Sequence, residues 1–224
     1  KSYNNIGNVF LSLKDYKVAS DYYHKSEYIN KRQNNLKSLS TSYNNLGIAM
    51  QGMGNIKEAL EYNRLSIETA RRVNDQGGII SSLLNIGNIY QDQGDLTQSL
   101  INYKEALRLS NSFRDGYLHT SLLTSLGGLR IKMNELDEAI SSLNEALDFA
   151  EKSGSAILLQ EIYSNLAKAW EAKGDFKRAY DFQSRYQSNS DSIYNLESNE
   201  RLNLLRVSFE SEQTERDNQL LRQQ

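Results

Sequence analysis

The chain has 224 residues and a formal net charge of −2, with acidic and basic residues interspersed along its length. This balance provides no basic surface for nucleic acid or anionic membranes, so neither is an expected partner. There is no cysteine, which excludes disulfides and thiol chemistry, and no proline, although usage of about 5% would give roughly eleven. Because proline breaks helices, its absence favours a nearly all-helical protein. The longest apolar run, residues 156–159, is too short for a membrane-spanning helix.

The first element, residues 2–10, carries both turn-like and helical signals. Asn-Asn followed by Gly is typical of turns, whereas Tyr3, Ile6, Gly7 and Phe10 have the spacing of one helix face. The same stretch returns every 40 residues, at 43–47, 83–87, 123–127 and 163–167. A fixed period of this kind is typical of repeat proteins and favours the helical interpretation.

A second signature follows in every unit, first at residues 14–16. It is a turn, then an N-capping or first-turn polar residue, then an apolar residue, so each unit holds two helices, A and B. In the second unit we expect helix A from about Lys37 to Gly52 and helix B from about Asn55. The predicted repeat domain spans 1–188, in units of about 1–36, 37–76, 77–116, 117–156 and 157–188.

Four units place a glycine inside helix A, at Gly7, Gly47, Gly87 and Gly127. Glycine in a helix interior costs about 1 kcal/mol relative to alanine. The repeated loss predicts that a neighbouring helix approaches too closely for a Cβ atom. The fifth unit has Ala167, which indicates that a single methyl group is tolerated there.

The pattern of these units resembles the tetratricopeptide repeat (TPR). It is carried in the first unit by Tyr3, Ile6, Gly7, Phe10, Ala19, Tyr23 and Ser26, and in the third by Leu83, Ile86, Gly87, Tyr90, Ser99, Tyr103 and Ala106. The period exceeds the commoner one of about 34 residues, and the family's proline at the end of helix B is missing. Both departures fit the longer-helix variety. The resemblance implies an all-α, right-handed α-solenoid of five helix-turn-helix units, with helix A lining a concave surface that binds protein or peptide.

Helix-A positions not needed for packing should face this groove, and most of them are amides. A carboxamide is both donor and acceptor, so a column of them can bind the backbone of an extended peptide. The candidate peptide-binding residues are Asn4, Asn5, Asn8, Asn44, Asn45, Gln51, Asn85, Asn88, Gln91, Ser125, Asn165 and Lys168. The alternative is that each Asn bonds a neighbouring helix and fixes the stacking of the units.

The family's basic clamp on a C-terminal carboxylate is not supported. It requires Lys and Arg at groove positions of the third unit, where this chain has Leu84 and Asn88. A neutral, amide-rich groove favours a neutral or mixed-charge segment as ligand.

Residues 189–224 leave the repeat pattern and contain neither Gly nor Pro. We expect a long C-terminal helix that caps the last unit and continues as a linker. Leu202, Leu205 and Phe209 provide an alternative, a short coiled-coil seam for a homodimer. The stretch from Ala179 resembles the end of the repeat domain in Bacteroidetes-type sensor proteins. There, a membrane helix follows, and then a histidine kinase or a coiled coil with a LuxR-type DNA-binding module. This resemblance implies the periplasmic or extracytoplasmic sensory half of a membrane-anchored protein.

No catalytic triad, carboxylate pair or metal-ligand cluster remains once packing is explained, so we expect no enzyme activity, cofactor or metal. Three functions remain open. The first is a peptide- or protein-binding sensory module of a bacterial signal-transduction protein. The second is a self-associating scaffold, and the third is a cytoplasmic regulator of response regulators of the Rap type. The Rap type would carry an N-terminal helical bundle, whereas this chain starts inside a repeat. We therefore expect a fragment with further repeats upstream.

Overall fold

Ten α-helices build the part of the chain that this computed structural model describes, residues 2–111 and 116–193. They are α1 (Ser2–Ser12), α2 (Tyr16–Arg32), α3 (Leu36–Gly52), α4 (Ile56–Arg71), α5 (Gln76–Asp92), α6 (Leu96–Ser110), α7 (Gly116–Lys132), α8 (Leu136–Ser153) and α9 (Ala156–Ala172), followed by α10 at residues 176–193. Odd-numbered helices are the A helices and even-numbered ones the B helices. The predicted all-α helical repeat fold is confirmed.

Each A helix ends in the same tight turn before its B helix. One residue of the turn has a positive φ, for example Lys14 at 60° and Gly94 at 79°. The next residue can cap the B helix, as Asp95 does by accepting a hydrogen bond from the backbone N–H of Gln98 at 3.0 Å. Such a cap satisfies one of the unpaired N–H groups at a helix start.

The helix-A glycines lie where the two helices of a unit touch. Each faces the helix-B residue sixteen positions later: Tyr23 for Gly7, Asn63 for Gly47, Tyr103 for Gly87 and Leu143 for Gly127. A Cβ atom at Gly87 would overlap the Tyr103 ring, and one at Gly127 would lie 2.5 Å from Cγ of Leu143. The close approach expected from the repeated glycines is therefore present in these four units.

The A helices form the inner layer of the stack. Each of α1, α3, α5 and α7 contacts the next A helix along the chain, whereas among the described B helices α2, α4, α6 and α8 do not contact one another. Because the A layer is the more closely spaced, the stack curves toward it. The groove-facing positions of the A helices thus lie on the concave surface, where repeat proteins commonly bind their partners.

The first two boundaries between units are polar. Ser42 Oγ lies 3.0 Å from Ser26 Oγ and 3.3 Å from Asn4 Oδ1, and Asn30 Nδ2 donates to it at 3.3 Å. Forty residues later, Ser82 Oγ lies 2.9 Å from Ser66 Oγ. Buried hydroxyls at these boundaries are therefore hydrogen-bonded to neighbouring polar groups, as burial requires.

The next two boundaries have aliphatic side chains in place of the buried serines. Leu122 and Ile162 occupy the positions that the serines hold in the earlier units, and both are fully buried. Leu122 belongs to a cluster with Ala106, and Ile162 to one with Ala146. Contact between aliphatic side chains stabilises these two boundaries, and a hydrogen bond of 3.0 Å between Ser110 Oγ and His119 Nδ1 also crosses the first of them.

The last described helix leaves apolar side chains exposed on its outer face. Phe176 is 70% exposed and Tyr180 is 73% exposed. At the first boundary the equivalent ring, Tyr16, packs against Gly52 of the next A helix. The proposed seam residues Leu202, Leu205 and Phe209, and the C-terminal helix beyond residue 193, lie outside the described residues. No helix in the described ranges is long and apolar enough to cross a membrane.

Candidate functional site

Among the described residues, two cavities on the concave surface contain most of the predicted groove residues. The N-terminal cavity, of about 430 Å³, is lined by Asn4, Asn5, Asn8, Lys37, Ser38, Thr41 and Asn45. The C-terminal cavity, of about 280 Å³, is lined by Asn88, Gln91, Tyr103, Thr124, Ser125, Gly128, Ile131, Lys132, Glu161, Asn165 and Lys168. The three remaining predicted residues, Asn44, Gln51 and Asn85, line neither.

In the N-terminal cavity, three of the four asparagines bond within the stack. Asn8 Oδ1 accepts hydrogen bonds from Tyr23 Oη at 2.9 Å and from Asn45 Nδ2 at 3.2 Å, which occupies both of its lone pairs. Burial raises the pKa of Tyr23 to about 12, so its hydroxyl remains a donor at neutral pH. Asn4 is only 8% exposed and accepts from Ser42.

The three amides outside the cavities join neighbouring helices. Asn44 Nδ2 donates to Ser82 Oγ at 3.0 Å, and Gln51 Nε2 donates to Asp92 Oδ2 at 2.9 Å. Asn85 Nδ2 donates to Oδ1 of Asn63 on α4 at a long 3.4 Å. These contacts are of the kind that fixes the stacking of units.

The C-terminal cavity has polar groups that the fold leaves available. On α9, Glu161, Asn165 and Lys168 follow at i, i+4 and i+7 and so form one stripe. The Asn165 carboxamide makes no hydrogen bond to any other residue in the described ranges, and neither Lys168 nor Lys132 has an ion-pair partner there.

The wall of this cavity on α5 presents two further amides. Tyr103 Oη donates to Asn88 Oδ1 and lies 3.2 Å from Gln91 Oε1. Burial raises the pKa of Tyr103 well above its ordinary value, so the hydroxyl stays protonated. The carboxamide nitrogens of Asn88 and Gln91 have no acceptor among the described residues, so both can donate to a ligand.

The charges in the C-terminal cavity are unequal. Lys132 and Lys168 supply two cations, and Glu161 supplies one potential anion. Partial removal from water raises the pKa of the Glu161 carboxyl above its ordinary value of 4.5. The cavity therefore carries a net positive charge at neutral pH.

A family model of MalT-like TPR regions matches residues 27–223, and a model of the tetratricopeptide repeat matches residues 1–33. The first match covers most of the chain. This chain belongs to the MalT-like TPR family. No curated protein sequence matches it significantly. The TPR fold is one that typically serves as a protein-interaction scaffold rather than as a catalyst.

Several solved structures resemble this TPR chain. BtubC from P. vanneervenii has a TM-score of 0.70 and 18% sequence identity, over 84% of this chain and 78% of that one. Aspartyl phosphate phosphatase F from Bacillus subtilis has a TM-score of 0.67 and 12% identity, over 84% and 58%. A Rap protein complexed with competence and sporulation factor has a TM-score of 0.68 and 12% identity, over 86% and 64%. At these identities the likeness shows the fold alone.

The C-terminal cavity includes Gly128, Tyr103 and Glu161, which the sequence did not predict as groove residues. The repeat register could have identified Gly128 as a groove position. The equivalent residues in the other TPR units are Asn8, Ile48, Asn88 and Lys168. Tyr103 is part of the repeat pattern, and its hydroxyl also reaches the groove amides. Among the described residues, no group of three or more His, Cys, Asp or Glu could hold a metal ion.

Proposed function

We propose that this TPR chain is the ligand-binding sensory module of a bacterial signal-transduction protein, either a histidine kinase or a transcriptional regulator. Its ligand is an extended peptide or a protein segment in the concave groove. The observation that carries the proposal is the C-terminal cavity, where polar side chains from three successive A helices converge and keep donor groups that the fold does not use.

The dimensions of the stack suit an extended chain. Packed helices lie about 8–10 Å apart, so crossing from α5 to α9 covers about 16–20 Å. An extended peptide rises about 3.3 Å per residue, and about five or six residues bridge that distance. Amide donors on α5 and α9 then meet the peptide backbone at both ends of the crossing.

Peptide pools test this binding directly. Random peptides of about nine residues, acetylated and amidated at their ends and labelled with a fluorophore, are titrated with the protein by fluorescence anisotropy. We expect binding that falls about tenfold in the double variant Asn88→Ala/Asn165→Ala, because each amide contributes hydrogen bonds to the peptide. Asn144→Ala, at an exposed position of α8, is the matched control and should bind as the wild type does. The absence of binding to any pool would contradict the proposal.

A second observation supports a sensory role. The stretch that starts at Ala179 resembles the last part of the repeat domain in sensor proteins. The proposal places the chain outside the cytoplasm, ahead of a membrane helix. Sequencing the gene on both sides tests it: we expect an export signal upstream and an apolar segment of about 20 residues after Gln224. A stop codon directly after Gln224 would contradict this placement.

A cytoplasmic regulator of the Rap type is a second candidate, favoured by the fold it shares with the Rap protein complexed with competence and sporulation factor. In that case, the gene upstream of residue 1 should encode a helical bundle and no export signal. The same sequencing experiment therefore separates the two candidates.

A further inference from the structure

One groove position in the C-terminal cavity, Gly128, has no side chain. Gly127 and Gly128 are adjacent in α7, but only the first is required by packing: its Cβ would lie 2.5 Å from Leu143. A Cβ at Gly128 would make ordinary contact with Asn165 Nδ2, at 3.6 Å. Glycine is the poorest helix former after proline, so Gly128 weakens α7 without a packing reason. It does open the groove toward Asn165.

Two cations border this opening. Lys132 follows Gly128 by one turn of α7, and Lys168 holds the position equivalent to Gly128 in the next unit. Both are exposed, and neither has a carboxylate partner within the described ranges. Two ammonium groups that share one cavity repel each other, and an anion between them relieves that repulsion.

We propose that the C-terminal cavity binds one acidic side chain, Asp or Glu, from the middle of an extended peptide. This inference rests on the proposed function and specifies the ligand of the same groove. The two ammonium groups pair with the carboxylate, and the Asn165 and Gln91 amides donate hydrogen bonds beside it. Gly128 leaves the room that the acidic side chain occupies.

The surroundings of the cavity determine which acidic segment fits. Residues of the three A helices α5, α7 and α9 line the cavity, so a peptide backbone that crosses it contacts all three. Glu161 lies one turn before Asn165 on the same stripe of α9 and repels a second carboxylate next to the first. The preferred ligand is therefore an isolated acidic residue flanked by neutral or basic ones.

Peptide pools with a fixed central residue test the proposal. Each pool has random residues around a central Glu, Gln or Lys, with both ends blocked, and a fourth pool has a central Gln and a free C-terminal carboxylate. We expect the Glu pool to bind about tenfold or more tightly than the Gln pool, because a hydrogen bond to a charged group is about twice as strong as a neutral one. The Lys pool should bind most weakly.

Two variants assign the effect to this cavity. Lys132→Gln/Lys168→Gln should remove the preference for Glu over Gln, while Lys104→Gln, at an exposed position of α6, should retain it. Gly128→Met should weaken binding of the Glu pool about tenfold, since its side chain fills the cavity. Thermal melting should show no loss of stability for Gly128→Met, because methionine is a better helix former than glycine.

The outcomes separate this inference from the proposed function. Equal binding of the Glu and Gln pools would overturn the proposal that the cavity binds an acidic side chain, and so would tighter binding of the pool with the free C-terminus. Either result would leave the proposed peptide binding intact. Retention of the Glu preference in the double lysine variant would also overturn it. If no pool binds, the proposed function fails and this inference fails with it.

Discussion

The two halves of the groove use similar polar side chains for different purposes. In the N-terminal half, Asn8 accepts hydrogen bonds from Tyr23 and Asn45, and Asn4 is bonded across the unit boundary to Ser42. In the C-terminal half, the Asn165 carboxamide and the two lysines have no such partners among the described residues. The N-terminal half therefore uses Asn4 and Asn8 within the stack. In the C-terminal half, Asn88 and Gln91 also receive the Tyr103 hydroxyl, but only through their oxygens, so their amide nitrogens, Asn165 and the two lysines stay available to a ligand.

The unit boundaries explain this difference. Ser42 and Ser82 need hydrogen-bond partners because they are buried, and the asparagines of the preceding unit supply them. At the later boundaries the equivalent positions, Leu122 and Ile162, are buried in aliphatic clusters and need no hydrogen-bond partner. Since these boundaries need no amide, the groove residues beside them are free to bind a partner.

The largest expected effect concerns the apolar boundary. Leu122→Ala should lower the free energy of unfolding by about 2–5 kcal/mol, because it removes buried methyl groups and leaves a cavity. Urea unfolding followed by circular dichroism measures it. Leu13→Ala, where the side chain is 69% exposed, is the control and should cost less than about 0.5 kcal/mol. If Leu122→Ala lowers the free energy of unfolding as little as the control does, apolar contact does not stabilise this boundary.

A smaller effect is expected at the polar boundary. Ser42→Ala removes the hydroxyl shared by Asn4, Ser26 and Asn30, which should lower the free energy of unfolding by about 1–3 kcal/mol. Peptide binding should be unchanged. Ser164→Ala, on the concave side of α9, should cost less than about 0.5 kcal/mol in the same assay. If both substitutions lower the free energy of unfolding by the same amount, the contrast between the two halves of the groove is wrong.

The smallest effect concerns Glu161, whose pKa is raised by partial burial. A carboxyl with a higher pKa in the folded than in the unfolded state destabilises the fold once it is ionised, so Glu161→Gln should raise the melting temperature slightly at pH 7. The gain should vanish below the ordinary pKa of 4.5, because both states are then protonated. Glu68→Gln, at an exposed position of α4, is the control. A lower melting temperature for Glu161→Gln at pH 7 would contradict the burial effect.

Much of the fold could be predicted from the sequence because every unit repeats the same pattern. The helix-A glycines predicted the close helix pairs, and α3 begins at Leu36, one residue before the expected start. Which amides are free could not be predicted, because it depends on contacts between units such as Asn44 with Ser82, 38 residues apart. The difference between Gly127 and Gly128 could not be predicted either, because it depends on how close Leu143 and Asn165 lie to each glycine.

The most direct test follows the side-chain amide signals by NMR while a peptide is added. The peptide is one that the wild-type protein binds from the blocked pools. We predict that the Asn88, Gln91 and Asn165 signals shift on binding, because these amides face the ligand, while those of Asn4 and Asn44 stay in place. Shifts confined to the N-terminal cavity, or to the outer face of the B helices, would contradict binding in the C-terminal half of the groove.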